Sequence, residues 1–237
     1  MTQPTEPVRS RVLSRNDELA AALRSRWQRR GVFCLNLVSS PGAGKTTLLE
    51  RTLERLSGRV KAGVLVGDLA TERDAERLSR FGFPVRQIVT GGVCHLDAAM
   101  VTAHLEAVDR PDLELLFLEN VGNLVCPASY DLGQDVSAVL LSTTEGDDKP
   151  LKYPTIFRRS GVMVVTKMDL LGASDFDVDR AVGHARGIQP GLRVFFTSCR
   201  TGAGIDEWTH WILQQVEAKR AATEEVAAGV PGRAGAD

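Results

Sequence analysis

The octapeptide Ser39-Ser40-Pro41-Gly42-Ala43-Gly44-Lys45-Thr46 constrains this chain more than any other stretch. It follows the apolar run Val32–Val38 and opens a segment, Thr46–Leu56, whose apolar residues recur at helical spacing. The pattern G-x-x-x-x-G-K-[ST] is kept except that Ser39 stands where the first glycine is usual. Gly42 and Gly44 still allow backbone N–H groups to come up to phosphate oxygens. The free amides and the dipole at a helix start favour an anion there. Gly42, Ala43, Gly44, Lys45, Thr46 and Thr47 are therefore the candidate cradle. Lys45 is placed to reach β- and γ-phosphates, and Thr46 to ligate Mg²⁺ through its hydroxyl. The bland alternative is a glycine-rich turn with an accidental Lys-Thr, but strand, loop and helix stand in the order a nucleotide site needs.

Six further apolar runs follow: Val60–Val66, Val85–Val89, Leu113–Leu118, Val136–Leu141, Val162–Thr166 and Leu192–Phe196. Most lack polar alternation, as strands buried on both faces should. Between most of them lie amphipathic segments, at Thr71–Arg80, Asp97–Asp109, Asp175–Arg186 and Ile205–Arg220. The expected fold class is α/β, a three-layer P-loop NTPase fold with a mainly parallel sheet of about seven strands flanked by helices. We expect a GTPase-like domain over 32–220. Residues 1–31 read as an N-terminal extension with a basic helix over Ser14–Arg30, capped by Ser14 and striped with Leu19, Leu23 and Trp27. Seven arginines fall between Arg9 and Arg30, read as a solvated basic face. Residues 221–237 lose periodicity and read as a disordered tail.

The net charge of −1 argues against a dedicated nucleic-acid binder. No apolar run approaches the roughly 20 residues of a membrane span, and no secretory signal stands at the N-terminus. Four cysteines are too few for a disulfide framework and fit a cytoplasmic protein.

Thr166-Lys167-Met168-Asp169 closes the sixth run and resembles the N-K-x-D guanine signature, with Thr166 in place of asparagine. A carboxylate at Asp169 can accept from the guanine N1–H and 2-amino group, donors that adenine lacks. Lys167 would pack its stem on the purine, and Thr166 would lose one hydrogen bond relative to asparagine. Ser198-Cys199-Arg200-Thr201-Gly202 looks like the second guanine loop. Asp68 and Glu119 end the second and fourth runs, where magnesium and attacking-water contacts belong, although either can instead cap the segment after it. Lys45, Asp68 and Glu119 are the candidate catalytic groups. Gly122 is a candidate N–H donor to a γ-phosphate.

Gly91-Gly92-Val93-Cys94-His95 follows the third run, and Val125-Cys126-Pro127 lies four residues beyond Gly122. Parallel strands would bring both loops to the nucleotide edge, so two thiolates and an imidazole can converge on Ni²⁺ or Zn²⁺. Cys34 and Cys199 read as buried small apolar residues as far as metal is concerned, and His104, His184 and His210 as ordinary helix residues.

SSPGAGKTTLLE, GDLATERDAERL, TGGVCHLDA, ENVGNLVCP, TEGDDKPLKYP and TKMDL together resemble the HypB family, GTPases needed for nickel insertion into [NiFe]-hydrogenase. The resemblance runs from about Phe33 to Trp211. It implies GTP/GDP and Mg²⁺ as ligands and a homodimer favoured by GTP. It implies Ni²⁺ or Zn²⁺ at the dimer interface through Cys94, His95 and Cys126. The segment carrying Lys149 and Lys152 would lie near the nucleotide and reach across the dimer. The implied partners are a nickel-binding accessory protein of the HypA type and the hydrogenase large-subunit precursor. Competing readings are a related nickel- or cobalamin-enzyme maturation GTPase, a P-loop small-molecule kinase, or a metal-binding module without hydrolysis. The kinase would leave Thr166–Asp169 and the Cys–His set idle.

Overall fold

The computed structural model describes residues 6–68 and 73–229. Seven strands form one sheet: β1 (Phe33–Ser39), β2 (Ala62–Asp68), β3 (Val85–Val89), β4 (Leu115–Glu119), β5 (Val136–Ser142), β6 (Val162–Thr166) and β7 (Arg193–Phe196). Their order is β3-β2-β4-β1-β5-β6-β7, and every pairing is parallel. All seven expected strands are present: β3 and β6 have the expected bounds, and the ends of the others shift by at most two residues. From β1 the chain passes over the position of β4 to build β2 and β3, returns to fill it, and then crosses to β5. The carboxyl end of β1 is thus the switch point of the sheet, where open α/β folds bind ligands.

Helices α1 (Glu6–Arg30), α2 (Lys45–Leu56), α3 (Arg73–Ser79), α4 (Ala98–His104), α5 (Lys149–Lys152), α6 (Pro154–Arg159), α7 (Val178–Ile188) and α8 (Ile205–Ala227) cover both faces. On one face Leu35, Leu37, Val64, Phe117 and Val164 meet α2 and α8 through Leu49, Leu53, Trp208 and Ile212. The other face carries two apolar clusters. One joins Cys34, Leu116 and Leu118 to α1 and α4, and the other joins Val38, Val139 and Val165 to α6 and α7.

Several boundaries differ from expectation. Helix α1 begins by Glu6, so Ser14 lies inside it and caps nothing. Its basic face is only partly solvated, because Arg24 pairs with Asp131 at 2.6 Å and Arg26 and Arg30 both pair with Asp109. Helix α8 continues to Ala227, past Arg220, so the first part of the expected tail is helical. The rest of that tail, 230–237, lies outside the described residues, as do 71 and 72 at the head of the third expected helix. Asp97 and Asp177 sit just outside α4 and α7 and cap them, accepting from Met100 N at 2.7 Å and Arg180 N at 3.0 Å. Helices α5 and α6 were not expected; four and six residues are too few to show a helical period.

Helix α1 is joined to the body by more than its apolar stripe. Buried Asn16 accepts from Ala98 N at 2.9 Å and donates to the Asp131 carbonyl at 2.9 Å. Asn16→Ala leaves a buried N–H and C=O without partners. We expect a stability loss of about 2 kcal/mol, read as a lower denaturant midpoint at unchanged m-value.

Candidate nucleotide and metal site

The phosphate loop joins β1 to α2. Gly42 and Gly44 take φ values of 74° and 97°, which is why glycines stand there. Lys45 is buried and donates to Ser39 Oγ at 2.8 Å. The serine that replaces the usual glycine is therefore the present seat of the lysine ammonium. Burial lowers the Lys45 pKa, and the Glu119 carboxylate works against that. Thr46 Oγ1 donates to Glu119 Oε1 at 2.6 Å, while Glu119 Oε2 is buried without a partner. Burial pushes the Glu119 carboxyl up to about 7, opposed by the Thr46 hydroxyl and Lys45.

These groups line a cleft of about 470 Å³ together with Gly42, Gly44, Thr47, Asp68, Gly122 and Lys167. Asp74 and Arg77 of α3 line it as well, and sequence reasoning gave them no role. Arg77 bonds Glu50 at 2.6 Å and Asp74 at 3.1 Å and lies 3.4 Å from Thr47 Oγ1. Their place in the charged run TERDAERL was the only available signal. Thr46, Glu119 and Asp68 together offer the hard oxygen donors that Mg²⁺ takes, and the orphaned Oε2 is a free acceptor among them.

The candidate base-binding loops lie beside the cleft. Thr166 Oγ1 donates to the Ala43 carbonyl at 2.7 Å, so the departure from asparagine still ties this loop to the phosphate loop. Lys167 has φ 57°, the one positive value outside glycine among the described residues, which marks a constrained position. Asp169 accepts from Ser198 Oγ at 2.5 Å, with Arg200 at 3.7 Å, and Met168 N bonds the Thr197 carbonyl at 3.1 Å. The two loops are thus one unit. Cys199 contributes its backbone, held by Arg51 at 3.0 Å, and burial pushes its thiol up to about 11. Lys149 reaches Ser40 Oγ of the phosphate loop at 3.0 Å. Lys152 pairs with Asp148 at 2.6 Å.

Cys94, His95 and Cys126 converge as the sequence predicted: their ligand atoms lie within 4.8 Å of one another. They form the one Cys/His cluster of this kind among the described residues. The two sulfurs are 2.8 Å apart with both thiols free. The Cys94 contact, followed by burial, raises the Cys126 pKa. Burial lowers that of His95, against the pull of Asp97. Neutral imidazole is the form that binds metal. Tyr130 stacks on the His95 ring at 3.8 Å, and His95 Nδ1 is buried without a partner. Two soft sulfurs and an imidazole with an unclaimed nitrogen suit Ni²⁺ or Zn²⁺. His104, His184 and His210 lie on α4, α7 and α8 with neighbouring polar atoms as partners, and Cys34 is buried in the core.

Gly122 joins the two sites. A Cβ there would lie 3.0 Å from Pro41 Cα, so only glycine fits without displacement. Cys126 follows four residues later on the same loop.

The fold and the first loop define a P-loop nucleotide-binding protein with a thiol–imidazole cluster beside its cleft. The family model for the CobW/HypB/UreG nucleotide-binding domain matches residues 33–196. The hydrogenase maturation factor HypB of Azotobacter vinelandii is 48% identical over 86% of this chain and 67% of its own length. That of Escherichia coli K12 is 46% identical over 86% and 70%. A crystal structure of HypB from Helicobacter pylori in complex with nickel matches with a TM-score of 0.81 at 36% identity, over 87% of this chain and 97% of that one. The chain belongs to the CobW/HypB/UreG family and, within it, to the HypB hydrogenase maturation factors. Among the described residues no helix is long and apolar enough to cross a membrane.

The Glu119 shift has a measurable sign. A carboxyl whose pKa is raised in the fold disfavours folding once it ionises, so its cost grows from about pH 4.5 to about pH 7 and is full above that. In nucleotide-free protein Glu119→Gln should raise stability at about pH 8 by on the order of 3 kcal/mol, with the gain fading toward about pH 4. Chemical denaturation of both proteins across that range measures it; a gain independent of pH would contradict the assignment.

Proposed function

We propose that this chain is a GTP-hydrolysing metallochaperone that delivers nickel for maturation of [NiFe]-hydrogenase. The observation that carries the reading is the single loop from Glu119 to Cys126, which borders the phosphate loop at Gly122 and supplies a metal thiol at its far end. Nucleotide state and metal binding then act on one segment.

In this reading GTP places its phosphates in the loop of Gly42 to Thr47, and Lys45 leaves Ser39 to neutralise the charge that develops on the transferred phosphoryl group. Thr46 and ionised Glu119 hold Mg²⁺, which supplies charge stabilisation at the β- and γ-phosphates when bound. Asp68, at the end of the neighbouring strand, completes the oxygen set or orients the attacking water. Gly122 donates its N–H to the γ-phosphate. Asp169 reads the guanine edge, with Lys167 against the ring and the Ser198–Cys199 turn behind it. Lys149 answers the phosphate loop, and Lys152 reaches the nucleotide of a second copy in the GTP-favoured dimer. Cys94, His95 and Cys126 carry the Ni²⁺ or Zn²⁺ cargo, and three protein donors leave a position for a second copy, a solvent molecule or a recipient to complete. The partners in this reading are a nickel-binding accessory protein of the HypA type and the hydrogenase large-subunit precursor, met in the cytoplasm.

Lys45→Ala should abolish GTP turnover with the fold intact, checked by circular dichroism and phosphate release. Asp169→Asn should weaken GTP and favour xanthosine triphosphate, whose 2-oxo group needs a donor; equal binding of ATP and GTP by the unaltered chain would remove the guanine assignment. Nickel affinity, measured at equal dimer fraction with GDP and with a non-hydrolysable GTP analogue, should differ by a factor of roughly 5 to 150. Cys126→Ala should abolish that difference and spare nucleotide binding. Equal affinities in the two states would leave two independent sites.

A further inference from the structure

The second face of the sheet carries one row of buried amides and a hydroxyl that runs from the start of β5 through the middle of β1 to the end of β4. Ser137 of β5, Asn36 of β1 and Asn120, directly after β4, are all buried. Asn36 Nδ2 lies 3.3 Å from Ser137 Oγ, and Asn120 Nδ2 lies 3.4 Å from Asn36 Oδ1. The row occupies the gap between the two apolar clusters of that face. A polar group is costly there unless fully paired, so each bond constrains the elements it joins.

Asn120 has a further task. Its Oδ1 accepts from Leu96 N at 3.0 Å and from Val121 N at 3.0 Å. Leu96 N is the peptide nitrogen joined to His95. The Leu96 side chain packs against Gly67 so closely that a Cβ there would come within 2.7 Å of it. The root of the Cys94–His95 loop is thus wedged between the strand end that carries Asp68 and the one that carries Glu119. Three residues on, Asn123 repeats the connection: its Nδ2 lies 3.4 Å from the Cys94 carbonyl, and its Oδ1 accepts from Val125 N at 2.8 Å. Between the two asparagines stands Gly122, against Pro41.

We propose that Asn120 and Asn123 are positioning residues that transmit nucleotide state to the metal ligands, Asn120 holding the backbone of His95–Leu96 and Asn123 that of Cys94. This rests on the reading above that nucleotide and metal are coupled. A shift of Gly122 with the γ-phosphate moves the asparagines on both sides of it. The buried Leu96 N–H must follow its acceptor, because water does not replace it. Cys94 and His95 are therefore displaced with Cys126, and the three ligands change their spacing together. Covalent connection along the loop moves Cys126 alone; the asparagines bring in the other two.

The test is nickel affinity of the full chain, titrated with a nickel salt at equal dimer fraction, with GDP and with a non-hydrolysable GTP analogue. The readout is the ratio of the two affinities, which general destabilisation does not alter while the protein is folded. Asn120→Ala should reduce the ratio from the factor of roughly 5 to 150 to near unity, and Asn123→Ala should reduce it in part. Asn36→Ala removes the lateral brace but neither contact with the metal loop; it should lower stability and keep the ratio. Because Asn123 is only half-buried, its variant keeps the test open if Asn120→Ala does not fold. Protection of the Leu96 amide from hydrogen exchange in the unaltered chain supplies a second readout, which should change with nucleotide before metal is added. An unchanged ratio in Asn123→Ala, or equal loss in Asn36→Ala and Asn120→Ala, overturns the proposal. So does a coupled wild type whose Leu96 protection ignores the nucleotide. A wild-type ratio of unity removes the coupling itself, a separate result that also ends the proposal.

Discussion

Gly122 lies so close to Pro41 that a methyl group at its Cα would sit 3.0 Å from the proline Cα, and the arrangement of both sites follows from this contact. It brings the loop after β4 against the phosphate loop. It fixes how far Cys126 can lie from the cleft, since four residues span at most about 14 Å. It also sets Asn120 and Asn123 at the height where the loop after β3 passes. Parallel strands in the order β3-β2-β4-β1 make the arrangement possible, because all the loops concerned leave the same edge, and β4 adjoins β1, which leads into the phosphate loop, with only β2 between it and β3, which precedes the Cys94–His95 loop.

The cleft pairs its polar groups with one another. Lys45 is held by Ser39, and Thr46 gives its hydroxyl to Glu119. Glu119, pushed up to about 7, is divided between protonated and ionised forms near neutral pH. Each group has a protein partner, so neither the buried ammonium nor the hydroxyl is left unpaired, a state that would cost stability. Glu119 Oε2 is the exception, and an unpaired buried acceptor beside a threonine hydroxyl favours the arrival of a cation.

Much of this was legible in the sequence because the signals were local. Each strand declared itself as a short apolar run, and the phosphate loop, Thr166–Asp169 and the Cys94-His95 pair are contiguous motifs. The convergence of Cys126 with Cys94 followed from topology, because loops after parallel strands share an edge. The losses have physical causes too. Residue α-helical periodicity cannot be read over four to six residues, which concealed α5 and α6. The full length of α1 was missed because its first turns, Glu-Pro-Val-Arg-Ser, show no apolar stripe, and their helical state is set by continuity with the anchored turns around Asn16 and Trp27. Thr166 read as a lost hydrogen bond because its partner, the Ala43 carbonyl, is distant in sequence. Asn120 stands inside the stretch ENVGNLVCP, but nothing in a string of residues tells a buried asparagine that bonds another loop from one that caps its own.

That distinction explains why the joint between the two sites is polar. Two loops packed through apolar side chains can slide by a few tenths of an ångström at little cost, because dispersion is spread over many weak contacts. A hydrogen bond weakens steeply once its geometry is lost, and a buried N–H has no water to turn to. The bonds from Leu96 and Val121 to one amide oxygen therefore hold the β3 and β4 loops in register rather than merely in contact. Two loops tied in this way, across the end of β2 that lies between them, resist sliding past each other. In the proposed coupling, a γ-phosphate acting on Gly122 would need no large motion to reach two sulfurs and an imidazole, because the loops that carry them already share an acceptor.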